Sequence, residues 1–268
     1  MLFADLQLSR RLERAEGNAC LRYAEARRRL HPESGAEWIE CAGAYAVFDG
    51  IDSPVTQSFG LGIFKEPAPA ELDRIEGFFF DRGAPVQFEV SPFAGIPTIN
   101  LLCARAYRPI ELSNVLYRPI ENPSAVADSD IQVRIIGAGE AGLWSDINAR
   151  GWSHEHPEFR EFLLELGAIS AAREDSQCFL AEFEGQPGAA GVLCLHQGVA
   201  LLGGAATIPE FRRRGLQTAL LNERLRHALD HGCDLAMMVT EPGSNSQRNA
   251  ERKGFRIAYT RTKWRLDR

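Results

Sequence analysis

The chain has 268 residues, of which 45% are hydrophobic and 25% are charged, and its formal net charge is -6. These values are ordinary for a folded protein, and the length suffices for one large domain or two modest domains. The negative net charge argues against binding of nucleic acid through overall charge. An acidic balance suits a cationic or amine substrate only weakly, because net charge mainly affects solubility.

Features of secreted and membrane proteins are not evident in this sequence. The N-terminal segment is charged from Asp5 onward and lacks an apolar run followed by a small-residue cleavage site, so we expect no signal peptide. The most apolar stretch, 188–208, contains His196, Gln197 and several glycines, which argues against a membrane span. The six cysteines show no C-x-x-C spacing and are expected to be reduced. We therefore expect a cytoplasmic protein with neither a membrane nor a nucleic-acid partner.

Hydrophobic periodicity predicts alternating helices and strands along the chain. Residues 1–30 have helical periodicity, and Gly17 is expected to separate two helices. Further helices are predicted at 71–82, 97–106, 140–150, 157–167, 216–231 and 246–253. Strands are predicted at 41–48, 58–64, 84–91, 108–117, 131–136, 199–208, 234–240 and 256–266, with a hairpin over 178–195. Residues 121–130 are small and polar and contain a proline, which is typical of a linker.

The two halves of the chain repeat each other in the order of their elements. Residues 83–92 parallel 232–242 at an offset of about 149, and 106–108 parallel 254–256 at an offset of 148. We therefore expect tandem folds at 1–122 and 131–268. The alternative is one domain with an unrelated N-terminal extension.

The most informative segment is 207–221, TIPEFRRRGLQTALL, which reads as a strand end, a basic loop and a helix. Pro209 cannot extend a sheet ladder, so the strand ends there. The turn from Arg212 to Gln217 places unpaired backbone N–H groups at a helix N-terminus, beside three cations. Gly215 lacks a Cβ and lets a ligand approach the backbone. Such a turn binds phosphate.

This segment resembles motif A of the GNAT acyltransferase superfamily, an Arg/Gln-x-x-Gly-x-Gly/Ala loop that follows a strand. Arg212 and Gly215 match the pattern, whereas Gln217 stands where Gly or Ala is usual. The resemblance implies a mixed α/β fold and a loop that grips the pyrophosphate of acetyl-CoA. The residues that would cradle the phosphates are Arg213, Arg214, Gly215, Leu216, Gln217 and Thr218. The residues that would pair with the pantetheine arm as an added strand are Ala206, Thr207 and Ile208.

Residues 245–255, NSQRNAERKGF, resemble motif B of the same superfamily, a helix that flanks the bound cofactor. Ser246 and Asn249 fall one turn apart and would face the cofactor together. Many members carry a tyrosine four residues before the closing glycine, proposed to protonate the departing thiolate, but Ala250 occupies that position here. The remaining candidates for protonating the thiolate are Ser246, Asn249, Tyr259 and solvent.

The general base and the acceptor site are less defined by the sequence. Attack on a thioester requires a neutral amine and therefore a proton acceptor nearby. Glu241, at the end of a strand, is the first candidate for the general base. An equally favoured alternative is that Glu241 is only a solvent-exposed residue of a turn. Trp152, His154 and His156 lie between two helices where the family usually places acceptor-binding residues; an exposed loop is the alternative. The two histidines have no third ligand nearby, so no metal is predicted.

Two other segments weaken competing assignments. Residues 65–71, KEPAPAE, correspond to the phosphate loop in the first half, but the two prolines lack N–H groups and the two glutamates repel phosphate, so we expect a structural role there. Residues 137–142 spell G-x-G-x-x-G, yet the region that should supply the second strand of a dinucleotide fold reads as helix.

The resemblance as a whole implies an N-acetyltransferase that moves an acetyl or short acyl group from acetyl-CoA to the amine of a small molecule, by direct transfer in a ternary complex. A non-catalytic acyl-CoA-binding or regulatory protein is one alternative. A nicotinamide-dependent oxidoreductase is the other.

Overall fold

A computed structural model describes residues 3–121, 130–153 and 157–268, and the chain divides into two compact units. One unit consists of 1–118 together with 237–268, and the other of 119–236. The C-terminal segment is thus grouped with the first unit, whereas the sequence places it in a repeat at 131–268. The predicted linker lies almost wholly outside the described residues, and the sequence-based division at 1–122 and 131–268 stays a proposal.

Beyond residue 48 the observed elements follow the predicted order, and the elements as a whole confirm a mixed α/β fold. The helices are α1 (Leu6–Leu30), α2 (Pro69–Phe80), α3 (Gly95–Ala104), α4 (Ala141–Trp152), α5 (Arg160–Ala171), α6 (Leu216–Asp230) and α7 (Asn245–Arg252). The strands are β1 (Glu37–Cys41), β2 (Ala44–Phe48), β3 (Gln57–Phe59), β4 (Val86–Val90), β5 (Arg108–Pro119), β6 (Ile131–Ile135), β7 (Ser176–Phe183), β8 (Gln186–His196), β9 (Val199–Thr207), β10 (Leu235–Thr240) and β11 (Arg256–Leu266). No helix in the described ranges is both long enough and apolar enough to cross a bilayer.

Helix α1 is continuous through Gly17, so the helix break expected at this residue is wrong. A Cβ built on Gly17 would lie 3.1 Å from Tyr45 Cδ2 and 3.2 Å from Phe59 Cβ. Glycine in a helix interior costs about 1 kcal/mol relative to alanine. Here the missing side chain lets α1 pack closely on β2 and β3, so the glycine marks close packing rather than a helix end.

A hairpin replaces the single strand predicted at 41–48. Ala42 and Gly43 have φ angles of 53° and 76°, and β1 and β2 pair antiparallel on either side of them. Two consecutive residues with positive φ are typical of the tight turns that join hairpin strands. The prediction missed this turn because alanine is rarely found in the left-handed region.

In the first unit, the strand order is β1-β2-β3-β4-β11-β5, and β10 follows β5. β11 pairs antiparallel with β4 on one side and with β5 on the other. In this register Lys263 lies opposite Glu89, and Arg261 lies opposite Ser113. The last strand of the chain is therefore an internal strand of the first unit, which explains the grouping of its C-terminal residues.

Beneath α1, the first unit buries a network of charged side chains. Arg261 is 2% exposed, and its terminal nitrogens contact Glu16 at 2.6 and 2.8 Å while its Nε lies 2.9 Å from Glu89. Glu13 is 1% exposed, lies 3.4 Å from Arg261 and accepts a hydrogen bond from the Tyr259 hydroxyl at 2.9 Å. Within the described residues, Glu13 Oε2 has no hydrogen-bond partner. One guanidinium therefore faces two buried carboxylates, of Glu13 and Glu89, and the half-buried carboxylate of Glu16.

The buried Glu13 makes stability depend on pH. Burial raises the pKa of Glu13 from 4.5 to about 7, with Arg261 opposing the shift and Glu16 adding to it. Between these two pH values the folded chain binds more protons than the unfolded chain, so stability falls as the pH rises through this window. We expect the Tm of Glu13→Gln to fall less between pH 5 and pH 8 than that of the wild type, measured by thermal denaturation. The exposed substitution Glu66→Gln should keep the wild-type pH dependence, and an unchanged dependence in Glu13→Gln would contradict this prediction.

In the second unit, the strand order is β9-β8-β7-β6, and each neighbouring pair is antiparallel. Gly191 on β8 faces α6, because a Cβ there would lie 3.0 Å from Leu220 and 3.1 Å from Arg224. The next residue, Val192, faces the opposite side, because successive residues of a strand alternate. A Cβ on Gly204 would lie 3.4 Å from Val192 and 3.8 Å from the amide of Asn148 on α4. Helices α4 and α6 therefore cover opposite faces of this sheet.

Candidate functional site

In the second unit, β9 leads through a short 3-10 turn, Pro209–Phe211, into the basic loop and α6. This is the strand, loop and helix that the sequence predicts. Gly215 is the N-cap of α6, with φ of 87°, and Arg213 also has a positive φ of 65°. Left-handed conformations favour glycine, so Gly215 supplies the turn into the helix with little strain.

The backbone N–H groups at the start of α6 are a second feature of this turn. Within the ranges that the structure describes, the N–H groups of residues 213–217 donate to no protein oxygen. The next two N–H groups, of Thr218 and Ala219, both donate to the carbonyl oxygen of Gly215, at 2.9 and 3.1 Å. Adjacent unbonded donors at the positive end of a helix dipole attract an anion. Thr218, included in the predicted cradle, can offer only its hydroxyl because its N–H is bonded within the helix.

The three arginines of the loop differ in their contacts. Arg212 donates to the carbonyl oxygens of Thr207, at 3.3 Å, and Gly151, at 3.4 Å, and so ties the loop to β9 and α4. The Arg214 guanidinium lies 4.9 Å from the ring centroid of Phe183. Arg213 and Arg214 are exposed and have no carboxylate within ion-pair distance among the described residues. Their charges are therefore available to an anion at the loop.

Gln217, which departs from the family pattern, is tied to β9. Its side-chain amide donates to the hydroxyl of Thr207 at 2.8 Å. Its backbone N–H belongs to the unbonded group described above. The long side chain thus connects α6 to β9 and leaves the backbone donor available.

Strand β9 carries a bulge shortly before the loop. Its pairing with β8 passes from Val192↔Gly203 to Ala190↔Ala206, so β9 has one more residue than β8 between these pairs. Gly204, within the bulge, is exposed and has φ of 53°. A bulge redirects a strand and leaves backbone groups out of the ladder. The segment predicted to pair with a pantetheine arm, Ala206 to Ile208, follows directly and has buried side chains.

Asn148 on α4 is a residue that sequence reasoning missed. Its side-chain amide donates to the carbonyl oxygen of Gly204 in the bulge, and the residue is 7% exposed. No short motif identifies it, because the contact joins residues 56 positions apart. The only available signal is a polar residue at a core position of a helix.

Of the acceptor residues predicted around α4, Trp152 is the last residue of that helix and is 53% exposed. His154 and His156 lie outside the described residues. In the described parts of the chain, no group of three or more His, Cys, Asp or Glu side chains is arranged to hold a metal ion.

The remaining candidates lie in the first unit. Glu241, Ser246 and Asn249 are exposed, with Ser246 and Asn249 on α7. Ala250, which replaces the usual tyrosine, is 4% exposed and offers no proton. The helix is fixed at its start by Ser244, whose hydroxyl accepts from the N–H of Gln247 at 3.1 Å.

Tyr259 differs from the other three catalytic candidates because it is buried. It is 6% exposed, and its hydroxyl donates to Glu13 at 2.9 Å. Burial raises the pKa of Tyr259 well above its ordinary value. This position disfavours Tyr259 as a proton donor to a bound thiolate.

The G-x-G-x-x-G segment does not form a dinucleotide site. β6, which precedes it, is the last strand in the order and pairs antiparallel with β7, whereas a dinucleotide fold needs parallel strands. The carboxylate of Glu140 accepts from the N–H of Gly137 at 2.6 Å and from Arg134 at 2.6 and 2.8 Å. Hydrogen bonds from Arg134 lower the pKa of Glu140 to about 2. The turn is therefore filled by the protein's own anion.

The corresponding helix start in the first unit is also filled by a side chain. Glu71 accepts from the N–H of Ala68 at 2.9 Å and from Lys65 at 2.6 Å at the start of α2. The hydrogen bond from Ala68 lowers the pKa of Glu71. This carboxylate supports the expectation that the first repeat does not bind a phosphate here.

Comparison with known proteins relates part of the chain to a family. Residues 142–255 match the family model described as the acetyltransferase (GNAT) family. No curated protein matches the chain in sequence.

Three solved structures resemble the chain over most of its length. A GCN5-related N-acetyltransferase from Kribbella flavida is 16% identical with a TM-score of 0.66, over 92% of this chain and 95% of that one. A GCN5-related N-acetyltransferase from Sphaerobacter thermophilus is 17% identical with a TM-score of 0.52, over 83% and 76%. A tandem GNAT protein from the clavulanic acid biosynthesis pathway is 13% identical with a TM-score of 0.57, over 83% and 78%. At these identities the likeness establishes the fold alone.

Proposed function

We propose that this chain, whose residues 142–255 match the acetyltransferase (GNAT) family, transfers an acetyl or short acyl group from acetyl-CoA to the amine of a small molecule. The proposal rests on one observation above all. The N–H groups of residues 213–217 have no acceptor within the described chain and lie beside two unpaired arginines. A nucleotide pyrophosphate supplies the anionic oxygens that such donors bind.

The parts of the second unit fit an acyl-CoA co-substrate. The basic loop would bind the pyrophosphate, and the backbone of Ala206 to Ile208, after the bulge, would pair with the pantetheine arm. The thioester of acetyl-CoA supplies the reactive carbonyl, and the protein contributes positioning. Glu241 stays the candidate base, and Ser246 and Asn249 stay candidates for protonating the thiolate; their exposure leaves all three accessible.

The test of this function has two stages. Thermal denaturation with acetyl-CoA or NAD should show stabilisation by acetyl-CoA alone, since a ligand that binds only the folded state raises Tm. A free-thiol assay over amino acids, polyamines, aminoglycosides and peptides should then show CoA release with at least one amine. Stabilisation by NAD alone would overturn the proposal. Binding of acetyl-CoA without thiol release from any amine would instead favour a regulatory acyl-CoA-binding protein.

Removing both exposed loop charges should weaken acetyl-CoA binding in a salt-dependent way. We expect Arg213→Met with Arg214→Met to lower the affinity about tenfold or more, because the loss of even one charge-assisted hydrogen bond costs about 1.5–3 kcal/mol. The dependence of the affinity on salt, measured by calorimetry, should also become shallower. The matched control is Arg226→Met on α6, an exposed arginine paired with Glu223. An unchanged affinity in the double variant would argue against a role of these charges.

A further inference from the structure

A buried arginine, Arg224, lies beneath the bulge of β9. Arg224 on α6 is 3% exposed, and its Nη1 donates to the carbonyl oxygens of Val192, at 3.1 Å, and Gly203, at 3.3 Å. Within the described residues, no carboxylate lies within ion-pair distance of it. Burial lowers the pKa of Arg224 to about 10, so the side chain remains charged at neutral pH.

The position of this arginine suggests a purpose beyond packing. Burying a charge without a partner is unfavourable, and an apolar side chain would fill the same space without that penalty. Gly191 on β8 makes room for the guanidinium, since a Cβ there would lie 3.1 Å from Arg224 Cζ. The two carbonyls that Arg224 bonds belong to the last regular pair before the bulge, Val192↔Gly203. The arginine therefore holds the strands where the ladder is interrupted.

The opposite face of the sheet has a second support at the same place. Asn148 on α4 donates its amide to the carbonyl oxygen of Gly204, the residue after Gly203. Because α4 and α6 lie on opposite faces, the carbonyl groups of Gly203, just before the bulge, and Gly204, within it, are held from two sides. Both side chains are buried, so their hydrogen bonds do not compete with bulk water.

We propose that Arg224 and Asn148 are positioning residues that clamp the bulge of β9 in the shape that receives the pantetheine arm of an acyl-CoA. This inference rests on the function proposed above and assigns the two residues no contact with reacting atoms. Their hydrogen bonds fix Gly203 and Gly204, and the backbone that follows, Ala206 to Ile208, takes its direction from the bulge. Loss of the clamp should therefore weaken the binding of ligands that contact the strand more than the binding of ligands that contact only the loop.

Two probes separate this role from general damage. Acetyl-CoA reaches both the loop and the strand, whereas adenosine 3′-phosphate 5′-diphosphate, which is coenzyme A without its pantetheine arm, reaches only the loop. We expect Asn148→Ala and Arg224→Lys to weaken acetyl-CoA binding about tenfold, the loss of roughly one buried hydrogen bond. Binding of the diphosphate probe should change less than twofold, and Arg226→Met should change neither. An equal loss of affinity for both probes, or no loss for either, would overturn the inference.

Hydrogen exchange tests the clamp without any ligand. The amides of residues 204–207 should exchange faster in Asn148→Ala than in the wild type, while those of α5 stay unchanged. If Arg224→Lys does not fold, Asn148→Ala decides the question alone. If the wild type does not bind acetyl-CoA, the proposed function fails, but the exchange experiment still tests the clamp. Equal protection of 204–207 in Asn148→Ala and in the wild type would overturn the clamp.

Discussion

Gly215→Asp should lower the affinity for acetyl-CoA at least about a hundredfold, the largest effect on binding expected from a single substitution. The new carboxylate would stand among the N–H groups of residues 213–217, accept their hydrogen bonds and repel a phosphate. Glu71 shows the same arrangement in the first unit, where a carboxylate bonds the N–H of Ala68 at the start of α2. Isothermal calorimetry with acetyl-CoA measures the effect.

Backbone strain at Gly215 requires a matched control. Gly215 has φ of 87°, and a Cβ there would lie 3.2 Å from Ile131 Cδ1. Gly232→Asp introduces the same residue at φ of 78°, just beyond the other end of α6, with no atom within 4 Å of the new Cβ. Both substitutions cost about 1–2 kcal/mol of left-handed strain, but only the first changes the anion loop. Similar losses of affinity in both variants would attribute the effect to strain, and wild-type affinity in Gly215→Asp would refute the loop as the binding site.

Arg261→Met should lower the free energy of unfolding by about 3–5 kcal/mol, the largest stability effect expected from one substitution. The substitution removes the cation that contacts Glu13, Glu16 and Glu89. Lys263 remains 3.2 Å from Glu89, whereas Glu13 and Glu16 are left with no cation among the described residues. Urea denaturation followed by circular dichroism measures the difference.

The control for this loss is Arg265→Met on the same strand. Arg265 pairs with Asp267 at 2.7 Å, and its side chain is 41% exposed. Exposed ion pairs contribute about 0–1 kcal/mol, so this variant should stay close to the wild type. Adding Glu16→Gln to Arg261→Met should restore part of the lost stability, because it removes one of the uncompensated charges. A loss below about 1 kcal/mol in Arg261→Met would contradict the assigned role of the network.

Local patterns predicted most of the helices and strands, including the strand, loop and helix that form the candidate site. The helix start at Gly215 was predictable because its turn chemistry lies within a few residues, from Pro209 to Gln217. The break expected at Gly17 was wrong, since no local signal separates a glycine that ends a helix from one that permits close packing. The hairpin at Ala42 and Gly43 was missed for a related reason: its turn uses an alanine at positive φ.

The amino-acid order alone was enough to define the strand, basic loop and helix that present backbone donors to an anion, because hydrogen bonds at a helix start depend on neighbouring residues. Only the folded chain showed that β11 lies between β4 and β5 and that Tyr259 is committed to Glu13, 246 positions away. The clamp formed by Arg224 and Asn148 was likewise visible only in the folded chain, since each side chain donates to a carbonyl oxygen at least 21 positions away. A buried charge or amide requires a partner, and periodicity along the chain carries no information about which distant residue provides it.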